Sequence, residues 1–203
     1  MEQNKKFSSD IDIDFANRDQ ILALLKHTPA SMIKNSKVSK HNTGVYFQSI
    51  PQDPFTGYAS LDYEAAEDRG YLKLDFLNVS VYTRVTSEQH LVELMTTEPN
   101  WANLYNREFC EQLIHVNQHY DTLIKMPEPV DTIPRMAMFL AVIRPAKRHL
   151  IGKTWREVAA TVWEKPTDGS YAFKCSHAIA YAHLVVVNMN LNDPSYKGNA
   201  SAL

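Results

Sequence analysis

Cysteine is nearly missing: Cys110 and Cys175 are the only two in 203 residues. They lie far apart and fit neither a disulfide framework nor a paired metal-ligand spacing, which suits a reducing cytosol and a cytoplasmic chain. Long apolar runs are missing too. Met1 to Lys6 is polar and no extended apolar segment follows, so neither a secretory signal nor a membrane partner is expected. The chain has no internal repeat and no low-complexity tract. Charge of one sign is also lacking: 21 Lys and Arg against 23 Asp and Glu give a formal net charge of -2. No global basic field advertises nucleic acid, so any such surface must be a local patch. What is present is a 44% hydrophobic composition, enough at this length for one good core with room for a small appended subdomain, and the chain reads as one compact unit.

The most informative stretch is Ser9-Asp10-Ile11-Asp12-Ile13-Asp14-Phe15. Successive side chains on a strand point to opposite faces, so Asp10, Asp12 and Asp14 share one face and Ile11, Ile13 and Phe15 the other. Carboxylates two residues apart repel unless solvent or a cation compensates them. A hard divalent ion such as Mg²⁺ suits that place, since it takes oxygen ligands and often uses one or two carboxylates plus substrate phosphates. A solvated acidic edge strand carries the same pattern.

Along the chain, Asn17 is positioned to cap a short helix whose apolar stripe is Ile21, Leu22, Leu24 and Leu25, ending before Pro29. Lys34, Lys37 and Lys40 recur at every third position, a solvated basic face or a phosphate contact. Lys40 to Gly44 reads as a polar turn opening a β-rich run, with a Lys-His pair beside a glycine that can approach phosphate. Tyr58 to Asp62 reads as a brief strand, and Tyr71 to Leu77 as another in which Asp75 interrupts apolar residues. An ionised carboxylate in that company needs a partner or a metal. Thr86 or Ser87 can cap a helix to about Thr97, and Trp101 to Lys125 carries a second helical pattern in which His115 and His119 stand at i,i+4. No glutamate follows His115 to complete a zinc motif. Pro127-Glu128-Pro129 is the clearest linker. It divides an α+β region, residues 1–126, from a helical lobe, 127–203. In that lobe Met136 to Ile143 should be a buried helix, and Arg144, Lys147, Arg148, Lys153 and Arg156 form the densest cationic stretch.

Five segments taken together resemble the C-family replicative DNA polymerases, the bacterial DNA polymerase III alpha subunit. Ser9 to Phe15 is similar to that family's P-D-x-D-x-D-F motif, Lys40 to Tyr46 to K-H-A-G-G-V-V, and Leu72 to Leu77 to V-K-F-D-F-L. Asp131 to Ala137 with Ala141 to Pro145 resembles the helix ending in R-P-G-P, and Tyr171 to Ala182 resembles Y-G-F-N-K-S-H-A-A-A-Y-A. The five fall in the family's order. The sequence departs from the family at Ser9 for Pro, at Asn42-Thr43 for A-G, at Ala146-Lys147 for G-P, and in placing Lys174 one position early. The family's intervening stretches are also much longer, and its phosphoesterase, clamp-binding and C-terminal DNA-binding parts have no counterpart here.

The resemblance implies a small palm-like, nucleotidyltransferase-type sheet with a helical fingers-like lobe. By motif position Asp10, Asp12 and Asp75 would be the catalytic acids and ligands of two Mg²⁺ ions, with Mn²⁺ an alternative. Lys40, His41 and Gly44, with Arg144, Lys174, Ser176, His177 and Tyr181, would bind the incoming nucleotide. Lys147, Arg148, Lys153 and Arg156 would contact nucleic acid. Expected partners are a DNA primer-template, deoxynucleoside triphosphates and other replication proteins. The opposing reading is a phage-sized relic that keeps the fold without turnover and binds nucleic acid or modulates replication.

Overall fold

The computed structural model describes residues 11–166 and 173–196. The chain is α+β and divides into two compact units, Met1–Thr83 and Arg84–Leu203.

The first unit carries four strands: β1 (Ile11–Phe15), β2 (Thr28–Lys34), β3 (Lys37–Tyr46) and β4 (Leu74–Asn78), with helices α1 (Arg18–Leu24) and α2 (Tyr63–Asp68). They form one mixed sheet in the order β1-β4-β3-β2; β1 is parallel to β4, and the other pairs are antiparallel. Strict alternation of acid and apolar residues gives β1 as expected. Asn17 then stops it by capping α1, its side chain accepting from Asp19 and Gln20 N–H groups. Asn35 and Ser36, both at positive φ (51° and 60°), turn β2 into β3, the left-handed geometry that suits a two-residue hairpin. Lys34 and Lys37 therefore face each other across the hairpin, and Lys40 pairs with Ser31. The three lysines share no helical face.

The expected strand at Tyr58–Asp62 is reduced to isolated pairs, Gln52 with Ala59 and Ser31 with Asp62. Asp62 ends extension there because its carboxylate caps α2, accepting from Glu64 and Ala65 N–H groups at 3.1 and 3.0 Å. Rings of Phe15, Phe47 and Phe76 pack together, with centroids 4.7 and 5.6 Å from that of Phe76. A second cluster gathers Ala30, Tyr46, Ile50, Ala59 and Ala66.

The second unit is helical among its described residues. Its helices are α3 (Glu88–Thr96), α4 (Arg107–Cys110), α5 (Tyr120–Leu123), α6 (Ile133–Val142), α7 (Trp155–Thr161) and α8 (Cys175–Asn192). Of the two candidate caps, Ser87 is the one that caps α3, its side chain accepting from the His90 N–H. The single helix expected over Trp101–Lys125 is instead a 3₁₀ turn (Trp101–Tyr105), α4, a turn and α5. Asn100 and Asn106 each accept from backbone N–H groups and restart the chain, and His115, at φ 66°, adopts the left-handed backbone. His115 and His119 thus share no helix, and the i,i+4 metal geometry is not formed.

The division at 83/84 lies earlier than the expected boundary at 126/127. Chemistry on both sides of the proline segment explains why it does not separate units. Val130 N–H donates to the Tyr105 hydroxyl, Trp155 N–H to Glu128, and the Trp155 indole to the Pro129 carbonyl. The core is α6 against α8. Six of ten α6 residues are buried, and α8 is buried continuously from Leu184 to Asn190. Its two buried asparagines are satisfied: Asn188 accepts from Ile114 N–H, and Asn190 donates to the Leu94 and Thr97 carbonyls.

Candidate active site

Parallel pairing of β1 with β4 sets Asp12 opposite Asp75, and antiparallel pairing of β3 with β4 sets Gly44 opposite Asp75. Register partners point to the same face of a sheet. Two carboxylates from opposite ends of the unit's sequence therefore occupy one row with a glycine. Asp12 is exposed, Asp75 buried at 8% exposure.

A buried carboxylate must be compensated, and the groups that compensate Asp75 are local. Lys73, two residues earlier and just before β4 begins, places its ammonium on Oδ2. The Thr43 hydroxyl donates to Oδ1 at 2.6 Å. Thr43 reaches it because β3 bulges: between the pairs Pro29–Val45 and Ser31–Lys40, residues 41–44 stand against Ala30 alone.

His41 closes that bulge. Its Nδ1 accepts from the Gly44 N–H at 2.9 Å and the Thr43 N–H at 3.3 Å. A nitrogen that accepts carries no proton, so the ring is neutral with its hydrogen on Nε2. The 3.7 Å approach of Nδ1 to Asp75 Oδ1 is therefore no ion pair. Burial, and then the Lys73 ammonium, hold the imidazole below its usual pKa, against an opposing pull from Asp75. Arg18 ties the bulge down, one guanidinium nitrogen donating to the Asn42 and Phe76 carbonyls at 2.6 and 2.9 Å. Tyr63 of α2 meets the His41 ring edge-on at 5.4 Å, with the Lys73 ammonium 6.0 Å from its ring.

Gly44 is required by close approach. A Cβ there would fall 2.7 Å from Lys73 Cδ and 2.9 Å from His41 Nδ1, so only a glycine lets both side chains cross to the Asp75 row without displacement. Next along β1, burial and then Asp12 raise the Asp14 pKa.

Of the expected acids, Asp10 lies outside the described residues. Among the described residues no three Asp, Glu, His or Cys side chains are grouped to hold a metal. Lys40 is exposed, although its register partner Ser31 is buried. The remaining nucleotide candidates belong to the second unit. There the Arg144 guanidinium lies 4.6 Å from the Phe173 ring, Phe173 stacks on Tyr181 at 5.5 Å, and Tyr181 meets His115 at 4.4 Å. His177 sits edge-on to Phe173 at 6.4 Å, while Lys174 and Ser176 are exposed at the start of α8. Arg144 Nε and His115 Nε2 are enclosed with no hydrogen-bond partner among the described residues. Burial, and then Arg144, push the His115 pKa down to about 4.

The basic patch needs one correction. Lys147 is buried, 6% exposed, and its ammonium donates to the Thr161 carbonyl at 2.7 Å. It anchors the C-terminal end of α7 rather than facing solvent. Arg148, Lys153 and Arg156 are exposed. Sequence reasoning missed Thr43, Arg18, Tyr63 and, above all, Lys73. The signal for Lys73 was its two-residue offset from Asp75, the spacing that an extended chain turns to one side.

The chain matches no known family, no curated protein and no solved structure.

Proposed function

We propose that the first unit is a miniature palm for template-directed nucleotidyl transfer, similar in plan to the DNA polymerase III alpha subunit. The observation that carries this reading is the register pairing of Asp12 with Asp75. Two oxygen-donor carboxylates side by side on adjacent strands, one of them buried, fit a hard divalent cation that completes its shell with water and phosphate. Asp12 and Asp75 would hold Mg²⁺ or Mn²⁺, with Asp10 the third acid by motif position. Bound there, a metal pair supplies activation of a primer 3′-hydroxyl and charge stabilisation of the departing pyrophosphate.

The chain's own residues do the positioning. Thr43 and Arg18 fix the carboxylate and the bulge beside it. His41, neutral and locked in one tautomer, presents Nε2–H as a donor suited to a phosphate oxygen. In the second unit, Arg144, Lys174, Ser176, His177 and Tyr181 supply the side chains proposed to bind nucleotide, and Arg148, Lys153 and Arg156 those proposed to meet nucleic acid. DNA primer-template, deoxynucleoside triphosphates and other replication proteins are the partners this reading names.

A specific contact favours the second reading, a relic that binds nucleic acid without turnover: Asp75 already holds an ammonium. Extension of a labelled primer on a DNA template with Mg²⁺ or Mn²⁺ separates the two. Extension by the wild-type chain that vanishes in Asp12→Asn supports the enzyme. Template binding with no extension in either metal supports the relic.

A further inference from the structure

We infer that Lys73 is a built-in stand-in for the divalent cation: its ammonium occupies the cation position on Asp75, and metal must expel it to bind. The inference rests on the proposed metal site at Asp12 and Asp75 and concerns how that site is regulated.

Three observations converge on it. First, Lys73 immediately precedes β4, two residues before Asp75, and its ammonium contacts Oδ2 directly. Second, the other carboxylate oxygen, Oδ1, accepts from Thr43, so each oxygen already has one protein partner and an incoming ion competes with them for the remaining lone pairs. The hydroxyl is compatible with a metal-bound carboxylate; the ammonium is the partner that a second cation on the same carboxylate repels. Third, the lysine's route is carved for it. Its Cδ and Cγ run over Gly44, where any larger residue would place a Cβ at 2.7 and 3.0 Å from them.

The arrangement has a physical rationale. Asp75 is too buried for water to screen it well. A tethered ammonium neutralises it while the site waits. Its effective concentration is high, so it sets a threshold below which free divalent ion does not enter. Once expelled, the ammonium is freed beside the site, where a phosphate would meet it.

The test is metal binding by the full chain, read as the loss of the free Mn²⁺ electron paramagnetic resonance signal and by calorimetry. Lys73→Met, which keeps the stem and removes the charge, is expected to bind Mn²⁺ about tenfold more tightly than wild type, since it removes a competing partly buried ion pair. Equal affinities overturn the inference while leaving the metal site standing. Absence of Mn²⁺ binding in both proteins overturns the metal reading itself, and the inference with it.

Two further measurements guard against a variant that fails to fold. Gly44→Ala obstructs the lysine without removing it and should also tighten Mn²⁺ binding; an unchanged affinity counts against the inference. In the wild-type chain, acylation of Lys73 followed by mass spectrometry should speed up when Mn²⁺ is added. A rate indifferent to Mn²⁺ that binds would show that the lysine never leaves, and would overturn it.

Discussion

Asp12 and Asp75 are partners in register on adjacent parallel strands, one exposed and one buried. The difference in burial divides their tasks. Asp75 is committed to Lys73 and Thr43, and breaking one side of a largely buried ion pair leaves the other charge uncompensated. Asp75→Asn is therefore expected to destabilise the chain by about 2–3 kcal/mol in urea unfolding. Combining it with Lys73→Met should recover part of that loss. Strict additivity of the two substitutions would show that the groups are not coupled.

His41 makes a prediction about a single proton. Because Nδ1 accepts from two backbone N–H groups, protonating it breaks both bonds. A histidine whose folded pKa is lowered contributes stability that is present above its unfolded value near 6.5 and is lost as pH falls through the folded value. Imidazole ¹⁵N resonances should report the Nε2–H tautomer at neutral pH and a titration midpoint below that of a free histidine. A midpoint at or above it, or a predominant Nδ1–H form, would contradict the bulge geometry.

In the second unit His115 titrates in the same sense with a larger span. Its pKa is pushed down to about 4, so between about 6.5 and 4 the unfolded chain binds a proton that the folded chain refuses, and stability falls as pH falls through that window. With allowance for solvent reaching part of the ring, the loss is about 2 kcal/mol. His115→Asn tolerates the left-handed backbone at this position and should flatten the pH dependence of the urea midpoint there. An unchanged slope would assign the acid sensitivity elsewhere.

How much of this was legible in the sequence differs by element. Alternation in Ile11–Phe15 announces β1 and its acidic face, and Asn17, Ser87 and the apolar run at Met136 mark α1, α3 and α6. Those signals are local, set by side-chain period and capping chemistry. The pairing of Asp12 with Asp75 is not local: it depends on strand order, which no short segment encodes, and was reached only through motif resemblance. The bulge at 41–44 was also hidden, because its partner is a mismatch between strands rather than a property of either. Trp101–Lys125 misled for the opposite reason. Its apolar spacing is helical, but Asn100, Asn106 and the backbone at His115 interrupt it, and tertiary contacts such as Ile114 N–H to Asn188 satisfy the groups a continuous helix would have paired.

The cationic stretch after α6 shows why charge density in a sequence overcounts a binding surface, and it yields a prediction with two separable readouts. Lys147 buries its stem and donates to a backbone carbonyl, so Lys147→Ala removes packing and a charge-assisted bond together. A loss of about 2 kcal/mol is expected, seen as a lower urea midpoint. Because its ammonium faces the protein, the salt dependence of template binding should not change. Arg148, Lys153 and Arg156 are exposed, and substituting each by alanine should leave stability within about 0.5 kcal/mol. If they neutralise phosphates, each loss lowers the slope of log affinity against log salt by about 0.9 for duplex DNA. A slope that responds to Lys147→Ala but not to the other three would place the nucleic-acid surface on a different face of this unit. A slope that responds to none would remove the patch from the interface.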